Sequence, residues 1–290
     1  VAAVVVDHNA ADVLTGCLRT LSDEPVDPVV VVDNGSDIGS LAVVDPASVG
    51  LDGRLQLVRT GANLGYGAGA NRGVAVVDAA LVLVANPDIE VHRGAVAALA
   101  EAVLGDPTVA IAGPTILDEN GQRYPSSRRF PSAVDAAGHA LLGRWWPQNP
   151  FSRRYRMDDV SLGPEPTVVD WVSGACLLVR RQAWEELGGF DEGYFMYAED
   201  MDLCWRAGRA GWRVVHQPAA VVTHHQGVST RQRPFAMAVA HHRSALRFAR
   251  RRAEGWRMVL LPAAVAVLGT RLLLETARLV AAAVGHRRRG

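Results

Sequence analysis

The sequence has no lysine. All thirty of its basic residues are arginine, and they balance thirty Asp and Glu to a formal net charge of zero at pH 7. That balance removes the usual electrostatic argument for a nucleic-acid partner. Cysteine is also scarce: Cys17, Cys176 and Cys204 are far apart and set among apolar residues. An odd, scattered trio argues against a disulfide framework and a zinc site and suits a reducing cytosol. No basic leader precedes the first apolar run, so no secretory signal is expected. What remains, 290 residues of which 49% are hydrophobic, is enough to bury a sizeable core in one large α/β domain or one and a half.

Residues 1–6 are a continuous apolar run without polar alternation, which predicts a strand buried on both faces of a parallel sheet. The run stops at Asp7, His8 and Asn9, and a helical pattern follows over 11–21. This arrangement then repeats. Residues 29–32 end in Asp33-Asn34-Gly35-Ser36. A third buried run, 55–58, leads into a glycine-rich stretch from Asn63 to Gly73 and a helix through about residue 78. A fourth, 81–84, stops at Asn86-Pro87-Asp88. A helix over 93–104 and a short strand over 108–112 continue the series. Strands that end in polar or glycine-rich residues, each passing into a helix, align those ends along one edge of a doubly wound, mostly parallel sheet, and ligands bind there.

Each stop has two readings. Asp33 is a turn former in Asp-Asn-Gly, or its carboxylate accepts from a base or ribose. The glycine-rich stretch resembles a dinucleotide fingerprint, but that fingerprint follows the first strand of its unit and this one follows the third, which disfavours NAD. Its glycines still let backbone approach a nucleotide, with Asn63 and Asn71 as amide partners. Asp88 is a turn residue or a hard-cation ligand.

Residues 124–166 lose periodicity and carry Trp145-Trp146-Pro147, several prolines and scattered arginines; a connection of that length predicts an acceptor-side flap. Strand character returns over 168–179, where Ser173-Gly174-Ala175 admits a close neighbour to the backbone. A helix over 181–187 leads to residues 188–212, which concentrate Glu199, Asp200 and Asp202 at the start of a helix beginning near Ala198. On that helix Asp200 shares a face with Leu203, Cys204 and Ala207, while Asp202 faces Arg206. Asp202 therefore reads as a surface ion pair, and Glu199 as either a complement to the helix dipole or a functional group. Asp200, on the apolar side, is partly desolvated, and its pKa rises toward the range useful to a general base. Strand-like residues 213–215 and 221–229 follow, and His224 and His225 at a strand end are either satisfied polar residues or metal ligands.

Taken in order over roughly residues 1–250, these features resemble the inverting glycosyltransferases of family 2, with a GT-A fold. The resemblance rests on His8-Asn9, Asp33-Asn34-Gly35-Ser36, the loop with Asn63, Gly65, Gly67, Gly69, Asn71 and Gly73, and Asn86-Pro87-Asp88. It continues through Ser173-Gly174-Ala175, Gly189-Phe190-Asp191-Glu192, Glu199-Asp200-x-Asp202-Leu203, and His224 with Gly227 and Ser229. The bacterial rhamnosyltransferase-like branch, which builds cell-wall and surface polysaccharides, is the nearest match in pattern. The resemblance implies a nucleotide-sugar site at His8, Asn9, Asp33, Asn63, Gly65, Gly67, Asn71 and Asn86. It implies Asp88 and His224 as ligands of Mg²⁺ or Mn²⁺, with His225 the fallback, although Asn86 stands where the family's metal motif has its first acid. Asp200 would be the base, supported by Glu199, and the acceptor would meet Trp171, Ser173, Gly174, Ala175 and Tyr197.

The expected organisation is a catalytic domain over 1–232, divided into a donor half (1–112) and an acceptor half (113–232), and a helical segment over 233–290. In that segment Arg243, Arg247 and Arg250 to Arg252 precede an apolar stretch over 258–269, shorter than the roughly 20 residues a spanning helix needs. Arg271, Glu275 and Arg278 then form a polar stripe. The pattern predicts a helix lying on the membrane surface, peripheral on the cytoplasmic face and suited to a polyprenyl-linked acceptor; packing on the catalytic domain or in a homodimer is the alternative. The expected activity is transfer of a sugar, first L-rhamnose from dTDP-rhamnose, to a lipid-linked or polysaccharide acceptor. Competing readings are a UDP-hexose or galactofuranose donor, a non-catalytic nucleotide-sugar binder, and a nucleotidyltransferase, which would need a basic glycine-rich loop where this chain has Asp7-His8-Asn9.

Overall fold

The computed structural model describes residues 1–37, 44–143, 145–157, 163–225 and 234–287. Its valine-rich runs form the predicted strands: β1 (Ala2–Asp7), β2 (Val29–Asp33) and β4 (Leu81–Ala85) are buried at every position. With β3 (Leu55–Arg59) they make a parallel array in the order β3, β2, β1, β4. The third run differs from expectation. β3 is the sheet's edge, so Gln56 and Leu57 are exposed rather than buried.

Beyond β4 the sheet continues through β11 (Cys176–Arg180), β6 (Val109–Leu117), β12 (Arg213–His224) and β5 (Ile89–Val91). β11 runs antiparallel to both its neighbours, whereas β6 and β12 are parallel over a long ladder, and parallel ladders hold most of the paired residues. β6 is longer than the expected strand over 108–112 and passes through residue 112, so the two expected halves share one continuous sheet; residue 232 lies outside the described residues. β12 is one strand where the sequence suggested two. Its register shifts between Gln217 and Val221, around Pro218, which has no N–H to give to a ladder.

Alternate residues of each central strand enter two different cores, as a period of two requires. Ala3 and Val5 face α1 (Ala11–Ser22) and α3 (Ala95–Leu104), with Leu14, Leu18 and Leu99. Ala2, Val4 and Val6 face α2 (Tyr66–Val74), α6 (Arg181–Leu187) and α7 (Glu199–Arg209), with Tyr66, Trp184, Phe190 and Leu203. Helices on both faces of a parallel array are the doubly wound arrangement, and they place the strand stops along one edge.

Residues 124–166 are more structured than the expected flap. They contain β8 (Ser127–Arg128), which pairs with β10 (Trp171–Val172), and two helices, α4 (Ala133–Leu142) and α5 (Pro150–Arg156), capped by the Ser132 and Asn149 side chains. The short β7 (Arg123–Tyr124) and β9 (Thr167–Val169) border them on the main sheet. The chain closes with α8 (Pro234–Arg252) and α9 (Leu261–Arg287). The apolar stretch exceeds the one read from sequence: residues Met258–Val280 are long and apolar enough to cross a membrane, and none of them is buried.

Candidate active site

The loop before α7 turns sharply. Tyr197 and Ala198 are consecutive non-glycine residues in the left-handed region, at φ 68° and 66°, a geometry costing on the order of 1–3 kcal/mol per residue that surrounding contacts must hold. It delivers Glu199 and Asp200 from the first turn of α7. Gly174 N donates to Asp200 Oδ2 at 2.7 Å, and Met201 N donates to Oδ1 at 2.7 Å. A Cβ on Gly174 would stand 3.1 Å from the Asp200 Cβ. The close neighbour admitted by residues 173–175 is thus this carboxylate.

Glu199 is buried, and its Oε2 has no hydrogen-bond partner among the described residues. Burial, reinforced by the charge of Asp200, pushes its carboxyl up to about 8. Burial raises Asp200 too, but the Gly174 and Met201 N–H groups and the field of Arg128 oppose that rise. When two carboxyl groups interact this closely, the one with fewer compensating donors holds the shared proton. Glu199 is then the neutral member near pH 7 and Asp200 the carboxylate.

Asp202 corrects the sequence reading. It is wholly buried, not on the surface, and Arg206 meets its Oδ2 at 2.7 Å while Arg251 of α8 lies 3.2 Å from Oδ1 and the Tyr194 hydroxyl donates to Oδ1 at 3.3 Å. Arg206 also donates to the carbonyls of Leu187 and Gly189. The group ties α7, the 187–194 loop and α8 together.

A second polar group gathers at the ends of β4 and β12. His224 Nε2 is 3.0 Å from Asp88 Oδ1 and 3.4 Å from Asn86 Nδ2. The nitrogen cannot accept from the amide and donate to the carboxylate at once, so the tautomer decides between them. His224 Nδ1 is buried without a partner among the described residues. His225 turns elsewhere, with Nε2 3.2 Å from Glu90. Gly227 and Ser229, to which His224 was matched, lie outside the described residues. Carboxylate oxygen and imidazole nitrogen suit a hard divalent cation. Among the described residues no cluster of three or more His, Cys, Asp or Glu side chains forms a cation cage.

One cavity of about 1650 Å³ joins the two groups. His8, Asn63, Asn86, Asp88, Trp171, Ser173, Gly174, Ala175, Tyr197, Glu199, Asp200 and His224, all expected from sequence, line it. Tyr66 stands between the groups: its hydroxyl donates to Gly174 O at 2.5 Å, and after burial the charges of Glu199, Asp200 and Asp88 all oppose its ionisation. Five expected donor residues are not on that wall. Asn9 bonds Asp37 through its side chain, and Asp33 Oδ1 accepts from Ser36 N. Asn71 bonds both N and O of Phe190, which explains the residue by loop anchoring rather than by ligand contact. Gly65, at φ 89°, carries the chain past Phe195, whose carbonyl oxygen a Cβ would meet at 2.3 Å, and Gly67 lies against Phe190.

Other wall residues were not anticipated. Asn34 crosslinks the β2 end to the glycine-rich loop, accepting from Leu64 N at 3.1 Å and donating to Gly65 O at 3.0 Å; its place in Asp-Asn-Gly was the available signal. Arg128 lies within 5.1–5.5 Å of the ring centroids of Tyr124, Tyr155 and Trp171. No local pattern marks it.

A sheet of this order, with helices on both faces and a carboxylate-bearing cavity at the strand ends, defines a GT-A type glycosyltransferase. The chain belongs to the family described as glycosyltransferase like family 2, which matches residues 1–245. It is similar to the N-acetylglucosaminyl-diphospho-decaprenol L-rhamnosyltransferase of Mycobacterium tuberculosis, with 42% identity over 82% of this chain and 79% of that one. It is also similar to the rhamnosyltransferase WbbL of Escherichia coli, at 28% identity over 77% of this chain and 82% of that one. Among solved structures, GalNAc-T7 with UDP, GalNAc and Mn²⁺ has a TM-score of 0.60 at 17% identity, over 78% of this chain and 43% of that one. The mannosyltransferase PcManGT from Pyrobaculum calidifontis with GDP-Man and Mn²⁺ gives 0.57 at 16% identity, over 98% of this chain and 79% of that one.

Proposed function

We propose that this chain transfers L-rhamnose from dTDP-rhamnose, with inversion, to a hydroxyl of a lipid-linked or polysaccharide acceptor in cell-wall or surface glycan synthesis. The observation that carries the chemistry is the shared cavity, where a backbone-anchored Asp200 and the Asp88–His224 pair open on one space. Similarity to two rhamnosyltransferases supports the choice of sugar.

Asp200 takes the proton of the acceptor hydroxyl as that oxygen bonds to the anomeric carbon. On the opposite face the bond from this carbon to the diphosphate oxygen breaks, and the nucleoside diphosphate leaves. A base so placed contributes about 10²–10⁴-fold. Neutral Glu199 keeps a second negative charge away from Asp200. Asp88 and His224 are the residues that would hold Mg²⁺ or Mn²⁺, and such a cation would supply positive charge against the departing diphosphate. The nucleotide lies against the wall formed by His8, Asn34 and Asn63, so that residues 1–112 serve the donor and 113–232 the acceptor. The apolar α9 rests on the cytoplasmic face of the membrane, where a lipid-linked acceptor is presented.

Full-length chain incubated with dTDP-rhamnose, a prenyl-diphosphate-linked N-acetylglucosamine and Mg²⁺ is expected to yield a rhamnosylated lipid, with activity suppressed by EDTA and restored by Mg²⁺ or Mn²⁺. Transfer from a UDP-sugar but not from dTDP-rhamnose would replace the donor assignment. Full activity in excess EDTA would remove the metal role from Asp88 and His224.

A further inference from the structure

The cavity extends well beyond the space between Asp200 and Asp88. Its outer part runs between α4, α8 and α9, against apolar residues such as Val134, Leu141, Phe248, Leu261 and Val267. Two cations also face the cavity, Arg128, whose charge reaches Asp200, and Arg271, with His139 and His241 beside them.

Neither arginine makes an ion pair with a carboxylate among the described residues, although the charge of Arg128 reaches Asp200. Arg128 is mostly buried and spends its donors on neutral oxygens, those of Pro125 carbonyl at 2.7 Å, Tyr124 hydroxyl at 3.0 Å and Tyr155 hydroxyl at 3.4 Å. Arg271, partly buried on α9, makes no ion pair among the described residues. The two histidines feel these cations. His139 is driven down to about 4, first by burial and then by Arg271, Arg156 and Arg128, and His241 is lowered by burial, His242 and Arg271, against a small opposing effect of Glu275. A desolvated guanidinium without a counter-ion is costly, and side chains that repel one another's charge in a pocket are stabilised when an anion enters. Asp200 and Glu199 are not that anion, since Asp200 is held by backbone N–H groups and Glu199 is the protonated member of its pair.

From this juxtaposition we infer that the outer cavity is the acceptor subsite for an isoprenoid diphosphate: Arg128 and Arg271 hold the diphosphate, and the apolar channel between α4 and α9 holds the first isoprene units. This rests on the transferase reading and says how the acceptor is held. The anion marks the end of the channel nearest Asp200, so a sugar attached to the diphosphate would reach the base while its lipid leaves along the exposed apolar α9. The ring cage of Tyr124, Tyr155 and Trp171 fixes the Arg128 guanidinium before the ligand arrives, which lowers the ordering cost of binding.

The test is binding of farnesyl diphosphate to the full-length protein in detergent, beside farnesol, inorganic pyrophosphate and dTDP, for wild type, Arg271→Met and Arg128→Lys. Farnesyl diphosphate is expected to bind more tightly than either of its halves. Each substitution is expected to weaken it about tenfold or more, with dTDP affinity unchanged, because a charge-assisted contact is lost or loses its fork. Arg271 is on an open helix face and Arg128→Lys keeps the charge, and unchanged dTDP binding certifies the fold. Wild-type affinity for farnesyl diphosphate in both variants would overturn the subsite. So would loss of dTDP binding in a folded variant, which would assign the arginines to the donor. Displacement of farnesyl diphosphate by phosphatidylglycerol vesicles with the same arginine dependence would also overturn it, by making the ligand a membrane headgroup. A wild type that binds farnesyl diphosphate through these arginines, yet transfers no sugar, would support the subsite and refute the transferase reading separately.

Discussion

Glu199 and Asp202 occupy one face of α7 and are comparably buried, yet two arginines neutralise Asp202 while no cation among the described residues contacts Glu199. The difference has opposite consequences for stability. An unfolded glutamate titrates near 4.5 and folded Glu199 near 8; between those values the unfolded chain has lost its proton and the folded chain has kept it. Stability therefore falls as pH rises through that window. Glu199→Gln, which does not ionise, is expected to be more stable than wild type by on the order of a few kcal/mol at pH 8, and by little at pH 4.5. Denaturant unfolding at the two pH values checks this, and a gain independent of pH contradicts it. Asp202→Ala leaves the buried Arg206 without its carboxylate, while Arg251 keeps Asp191, and is expected to cost about 3–5 kcal/mol, read as a lowered urea midpoint. A loss below about 0.5 kcal/mol would mean that the pair behaves as an exposed one. Helical spacing was enough to place Asp200 toward the interior. It misplaced Asp202, because the covering residues Tyr194 and Arg251 come from a loop and a later helix that i,i+4 spacing does not register.

At the scale of elements, legibility followed periodicity. β1, β2 and β4 are unbroken valine-rich runs, and α6 spans residues 181–187 as read, since each buries a regular face. Residues 124–166 hide two short helices and β8 because their order comes from tertiary contacts: the Arg128 cage, the Ser132 and Asn149 caps, and Arg154 bonding Asp135. α9 was underestimated for another reason. Arg271, Glu275 and Arg278 interrupt the apolar count without interrupting the helix. Deleting residues 256–290 is expected to release the protein from membranes in a sedimentation assay; equal pelleting of truncated and full-length chain would show that α9 is not the anchor.

In the whole molecule, the ordered series of strand stops was sufficient to read a doubly wound, mostly parallel sheet, because each stop must fall on the same sheet edge once the strands are parallel; the GT-A type came from the resemblance of the motifs in their order. The convergence of the site was only partly legible. Asp88, Gly174, Asp200 and His224 come from four elements, and it is the antiparallel insertion of β11 between β4 and β6 that carries residues 173–175 to the α7 end, where Gly174 N meets Asp200. Asn71 and Gly67 have the family's pattern for a reason visible only in three dimensions: they anchor Phe190 and so set the loop that presents Glu199 and Asp200. Transfer then depends on Asp200 as the base that deprotonates an acceptor hydroxyl attacking a donor sugar held at the Asp88 end of the same cavity. The most direct test measures Asp200→Asn twice, for rhamnose transfer and for dTDP-rhamnose affinity. The expected result is a loss of turnover of about 10²–10⁴-fold with donor affinity retained. Turnover near that of wild type, with the donor still bound, would contradict it.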